Sequence, residues 1–157
     1  MSYFIVTEPP TDFSPTIIAA GCCCIYENQI LLLKRHPNKP YPNTWGVPGG
    51  KMEGNEEVRD CVVREIQEEA GLNIDEDDLQ RIGALYCSIP NEGPNGNTPL
   101  KYVFHLFIKT FKLAPILNIG LEEHTDAKWV SLEEAYKLPL IVGGKEALAL
   151  FAEMSLK

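Results

Sequence analysis

Residues 50 to 72, GKMEGNEEVRDCVVREIQEEAGL, run from a glycine-bearing loop into a segment crowded with carboxylates. Val58, Val62, Ile66 and Ala70 recur at the spacing of an apolar helix stripe. They predict a helix from about Val58 that stops at Gly71, a residue suited to a left-handed helix end. At about 100° per residue, Glu65, Glu68 and Glu69 fall on an adjoining arc, one above another on successive turns. Like charges so placed repel by about a few tenths of a kcal/mol per pair, so a compensating cation is expected. No lysine or arginine lies inside the arc, and Arg64 borders it at about 40° from Glu68. Oxygen ligands suit a hard divalent ion, Mg²⁺ or else Mn²⁺, and the absence of Cys and His from this face argues against zinc. A glutamate-rich face turned to water is the plain alternative.

The order of the whole stretch decides between the two. Gly50, Glu56, Arg64-Glu65, the apolar Ile66, Gln67, Glu68-Glu69, Ala70, Gly71 and the apolar Leu72 stand at the spacings of the Nudix box. The chain therefore resembles the hydrolases that cleave nucleoside diphosphates linked to another moiety. The resemblance is specific over residues 50 to 72 and looser from Ala19 to Glu134. It implies an α/β/α sandwich with a mixed sheet and a Mg²⁺-dependent attack of water on a diphosphate. It also implies that Glu65, Glu68 and Glu69 face the metal, joined by the Gly50 carbonyl. Arg64 would orient Glu65, and Glu56 would brace the loop against the helix through Arg64. The chemistry agrees, because a diphosphate repels a nucleophile until cations neutralise it, and a carboxylate must accept the proton from water.

The family usually adds one glutamate from a loop after the box. Glu122, Glu123 and Asp126 are available here. Glu123 is preferred, because it precedes His124 and stands six residues before Trp129. His124 itself reads as a surface or packing residue. Lys34, Arg35 and Lys51 flank the expected cleft, and Arg35 and Lys51 are the candidates for substrate phosphates, as fork and point charge. Trp45, Tyr86 and Phe104 are expected to pack in core or loop rather than to stack a base.

The chain has 157 residues, 45% of them hydrophobic, which fits one domain over residues 1–157 with a sizeable core. A formal charge of −8 disfavours nucleic acid as a partner. Five cysteines form no CxxC pair and read as small buried hydrophobes in a reducing cytoplasm. The first residues, MSYFIVTEPPTDF, lack a cationic leader, and no run of apolar residues is long enough to span a membrane. The expected partner is a small-molecule nucleotide, and a homodimer is left open.

In chain order, strands are expected at residues 3–6, 16–25 and 29–35, the last two forming a hairpin across Glu27-Asn28. Residues 36 to 48, rich in proline, read as loop. Further strands are expected at 79–89, 100–113 and 127–130, with a ten-residue loop between the first two. Ser131 to Glu134 reads as a capping box opening a helix to about Lys137, and an amphipathic helix follows Gly143-Gly144. Interleaved strands and helices predict an α/β or α+β sandwich with a mixed sheet between helices.

No signature outside the box marks ADP-ribose, dinucleoside polyphosphates or coenzyme A. By elimination the expected substrate is a nucleoside triphosphate or a nucleotide sugar. Two alternatives stay open: a nucleotide-binding regulator without turnover, and an isomerase of prenyl diphosphates, which needs a catalytic cysteine.

Overall fold

The computed structural model describes residues 3–155. Strand β1 (Phe4–Val6) is followed by β2 (Ile17–Tyr26), β3 (Gln29–Arg35), β4 (Trp45–Gly46) and β5 (Gly49–Lys51). Helix α1 (Val58–Ala70), a 3₁₀ turn at Glu76–Asp78, β6 (Gln80–Ile89) and β7 (Leu100–Thr110) come next. The chain closes with β8 (His124–Val130), α2 (Leu132–Tyr136) and α3 (Gly144–Ser155).

The sheet runs β1-β6-β7-β2-β3-β4, with β5 paired to β2 and β8 to β3. Among the described strands β2 and β7 pair in parallel and the other pairs are antiparallel, which makes the sheet mixed. The near-continuous apolar run of β2 suits its central place, since both of its faces are covered. Cys22 and Cys24 pack toward Val62 and Ile66 of α1. Cys23 and Ile25 point the other way, into a core with Ala147, Leu148 and Phe151 of α3. The five cysteines are all free and buried, as small hydrophobes would be. Helix–sheet–helix layering results, with α1 on one face and α2 and α3 on the other.

Local chemistry sets the element ends. Glu27 and Asn28 have φ of 49° and 64°, the two left-handed residues of a tight hairpin turn that pairs Tyr26 with Gln29. Helix α1 opens where the Glu57 N–H donates to the Asp60 carboxylate at 3.0 Å, and closes at Gly71 with φ 71°. In the capping box of α2, the Glu134 N–H donates to Ser131 Oγ at 3.1 Å and the Ser131 N–H to Glu134 Oε1 at 3.1 Å.

Three expectations need correction. The stretch expected as loop before the box holds the short strand β4, and Gly49-Gly50 after it lies in β5. Their partners are β3 and β2, far along the chain. β7 ends at Thr110 and not at Leu113, because its partner β2 turns away at Glu27. β8 begins at His124, three residues before Ala127, since Arg35 offers it an additional partner across a bulge. Among the described residues no helix is long and apolar enough to cross a membrane.

Candidate active site

Arg64 is the hub of the site. Its Nε and Nη2 donate to the two Glu56 carboxylate oxygens at 3.0 and 2.7 Å, a two-pronged grip. Nη2 also donates to the Lys51 carbonyl at 2.9 Å, and Nη1 to Glu65 Oε1 at 2.9 Å and Glu68 Oε2 at 3.3 Å. One guanidinium thus ties the loop after β5 to two glutamates of α1. The Glu53 N–H, donating to Glu56 Oε1 at 2.7 Å, fixes the loop end of this clamp. Hydrogen bonds from Arg64 hold the Glu56 carboxyl down at about 2, against its partial burial.

That shift sets a pH dependence. A carboxyl depressed by folding adds stability above its ordinary 4.5, and the contribution is lost as pH falls toward about 2. Lysine keeps the charge of Arg64 but not its fork. Arg64→Lys should therefore melt several degrees below the parent at neutral pH, with the gap narrowing between about pH 4.5 and 2 in thermal melts.

Glu65 and Glu69 are buried, at 8% and 5% exposure, whereas Glu68 is largely open to solvent. Burial raises the Glu65 carboxyl, opposed by Arg64 and reinforced by Glu68 and Glu123. Burial raises Glu69 further, with Glu65 and Glu123 adding to it and the Gly49 N–H opposing, which donates to Glu69 Oε1 at 2.7 Å. Carboxylates packed in this way resist ionising together, the condition that a bound cation relieves.

The two glycines of β5 serve close approach, and neither has a positive φ. A Cβ on Gly50 would lie 2.5 Å from the Glu65 carboxyl carbon, so the carboxylate sits directly against the strand. The Gly50 carbonyl, expected at the metal, accepts from the Cys61 thiol at 3.4 Å.

The opposite wall comes from the segment before β8. The Asn118 N–H donates to the Ala70 carbonyl at 2.8 Å and the Gly120 N–H to the Glu69 carbonyl at 3.1 Å, pinning this segment to the end of α1. The His36 N–H donates to the Glu123 carbonyl at 2.7 Å. Glu123, Glu69 and His124 each bring a ligand atom within 4.8 Å of the others. His124 is buried at 5% exposure, which selects packing from the two placements expected, surface or packing, and sets it beside Glu69 and Glu123, a proximity that sequence reasoning did not foresee. Burial, then the Arg35 charge, pushes its imidazole down to about 4, so it is neutral beside Glu69 at ordinary pH.

Residues of this group line two hollows. An open acidic one of about 480 Å³ is lined by Glu68, Glu69, Glu122 and Glu123. A mainly apolar one of about 260 Å³ is lined by Tyr41, Tyr102, Phe104, Leu140 and Ile141, with Arg35, Lys51 and His124 on its wall. Arg35 and Lys51 are thus part of the cavity lining, and Lys34 is not. Trp45 lies in the core and Tyr86 packs edge-on against Phe13 at 5.7 Å, so of the three aromatics only Phe104 reaches the cavity. Burial pushes the Cys61 and Cys87 thiols up to about 12 and 11, which leaves little nucleophilic thiolate for an isomerase.

The residues present fit a divalent ion. The buried Glu69 carboxylate, raised first by burial and then by its acidic neighbours, the exposed Glu123 carboxylate and the buried His124 Nδ1, which has no hydrogen-bond partner, lie within 4.8 Å of one another.

A family model for the NUDIX domain matches residues 15–151, and the chain belongs to the Nudix family. It is 41% identical over 123 residues to the uncharacterized Nudix hydrolase YvcI of Bacillus subtilis, covering 78% of this chain and 71% of that protein. It is 50% identical over 124 residues to the ADP-ribose pyrophosphatase of Methanocaldococcus jannaschii, covering 78% of this chain and 64% of that one. The chain spans 60% of the length of a third relative, the mouse diphosphoinositol polyphosphate phosphohydrolase 2, at 31% identity over 76% of this chain. Among solved structures, the MutT protein of Methanosarcina mazei superposes with a TM-score of 0.73 at 23% identity, covering 94% of this chain and all of that one. The NUDIX domain of Shewanella oneidensis NrtR, crystallised with ADP ribose, gives 0.71 at 17% identity, covering 96% and 94%. These last two are likenesses of fold.

Proposed function

We propose that this chain is a divalent-metal-dependent pyrophosphohydrolase that cleaves a nucleoside diphosphate-linked substrate. The observation that carries the reading is the meeting of Glu65, Glu69 and Glu123 beside a cavity flanked by Arg35 and Lys51. When bound, a divalent ion, Mg²⁺ or Mn²⁺, supplies charge neutralisation for the diphosphate and acidifies water. Glu65, Glu68, Glu69 and Glu123 would hold it, and the Gly50 carbonyl keeps a second lone pair for the same purpose.

The chain's own residues do the positioning. Arg64 locks one oxygen of Glu65, and the Gly49 N–H locks one oxygen of Glu69, so the remaining oxygens are aimed without further ordering. Arg35 and Lys51 receive the substrate phosphates, and the apolar cavity receives the rest of the nucleotide. A carboxylate of the group accepts the proton from the attacking water. A nucleoside triphosphate or a nucleotide sugar fits this division between charged rim and apolar interior. ADP-ribose joins them on the strength of the Methanocaldococcus relative.

A panel of these three classes, read by chromatography of the released nucleoside monophosphate, tests the reading and ranks the substrates. Within it, Glu123→Gln should lower turnover at least about tenfold, a small part of the ~10²–10⁴ typical of general acid–base groups, and Glu122→Gln should do little. Sensitivity at Glu122 alone would move the wall of the site by one residue, and insensitivity at both would remove that wall from the chemistry.

A further inference from the structure

We propose that the imidazole of His124 is a nitrogen ligand of the metal centre, giving a mixed nitrogen–oxygen donor set where the helix alone offers oxygens. This rests on the metal-dependent function proposed above. The starting point is the slip between β8 and β3: Lys34 faces Asp126 and Arg35 faces His124, which leaves Thr125 over. A bulge of this kind re-aims side chains. Here His124 is buried while its neighbours Glu123 and Thr125 are exposed.

The turned-in ring is not satisfied by the protein. Its Nδ1 is buried and has no hydrogen-bond partner, an arrangement that forfeits hydration and is uncommon without a reason. The facing atom is Glu69 Oε2 at 3.4 Å, with geometry that makes no hydrogen bond. Two donors each ~2.1 Å from one ion lie roughly 3.0–3.4 Å apart for angles between about 90° and 110°. The observed 3.4 Å lies at the upper end of that range. Glu69 Oε1 is already taken by the Gly49 N–H at 2.7 Å, which leaves Oε2 for the ion, and the Glu123 carboxylate completes the group.

A nitrogen donor changes metal preference. Imidazole favours ions such as Co²⁺ and Zn²⁺ in the order of their general affinity for nitrogen, whereas Mg²⁺ gains little from it. The protein should therefore bind Co²⁺ in preference to Mg²⁺ by more than an oxygen-only site would. His124→Gln should weaken Co²⁺ binding at least about tenfold and Mg²⁺ binding less than about threefold.

Pulsed electron paramagnetic resonance on the full chain loaded with Mn²⁺ reads the bond directly, without recourse to activity. The expected result is the ¹⁴N coupling of a directly bonded imidazole, replaced by a ¹⁵N pattern when the histidines are labelled. The chain has three histidines. The coupling should survive His36→Gln and His105→Gln and vanish in His124→Gln, so the first two variants assign it even where the third does not fold. Mn²⁺ bound with no such coupling would overturn the nitrogen ligand and leave the proposed hydrolase intact. Failure to bind Mn²⁺ in equilibrium dialysis would overturn both.

Discussion

Glu69→Gln is expected to lose turnover by ~10²–10⁴-fold while folding as the parent does. The two halves of this expectation have separate causes. Glu69 Oε1 accepts the Gly49 N–H at 2.7 Å, and an amide oxygen can do the same. The amide N–H₂ then falls where Oε2 was, facing the unpartnered His124 Nδ1 across 3.4 Å. Burial and the neighbouring Glu65 and Glu123 all oppose charge at this position, so neutralising it does not weaken the folded chain. What is lost is an anionic oxygen toward the ion and the attacking water. Purified Glu69→Gln with near-parental turnover would remove Glu69 from the chemistry, and circular dichroism with a thermal melt checks the fold alongside.

The adjacent glycines of β5 should separate chemistry from stability. A Cβ on Gly50 would meet the Glu65 carboxyl at 2.5 Å, the movable end of a side chain. Gly50→Ala should therefore fold, with Glu65 driven off Arg64, and a displacement of about 1 Å at a reacting group costs on the order of 10² in rate. A Cβ on Gly49 would lie 2.6 Å from the Ala20 carbonyl oxygen and 2.7 Å from Gly21 Cα, both backbone of the central strand. That strand cannot yield, and overpacking of this kind costs about 1–3 kcal/mol or more. Gly49→Ala should show first as a lowered melting temperature, Gly50→Ala as lost turnover in a well-folded protein. The reverse pattern would show that the carboxylate is not seated on β5 as described.

The stretch from Gly50 to Leu72 was readable because its signals are local. The stripe of Val62, Ile66 and Ala70 and the left-handed stop at Gly71 lie on one helix, and so do Arg64, Glu65, Glu68 and Glu69. The hairpin at Glu27-Asn28 and the capping box at Ser131 were legible for the same reason. Features that depend on distant partners were not. β4 and β5 are two and three residues long, too short for any periodicity, and exist because β3 and β2 pair with them. For His124 the choice between surface and packing stayed open, since its inward turn accompanies one surplus residue in the pairing of β8 with β3. The apolar cavity was invisible for a like reason: Tyr102 and Phe104 on β7 face Leu140 and Ile141 ahead of α3, segments that only the fold brings together.

The central claim, that clustered carboxylates act through a divalent ion, is tested most directly by titrating the metal-free protein with Mg²⁺ while following turnover and melting temperature together. An ion that binds only the folded chain stabilises it by about 2.7 kcal/mol when present at ~100 times its Kd. Hydrolysis of the best substrate should appear over the same concentration range in which the melting temperature rises, and both should be abolished by excess EDTA. Turnover undiminished in EDTA would contradict the account.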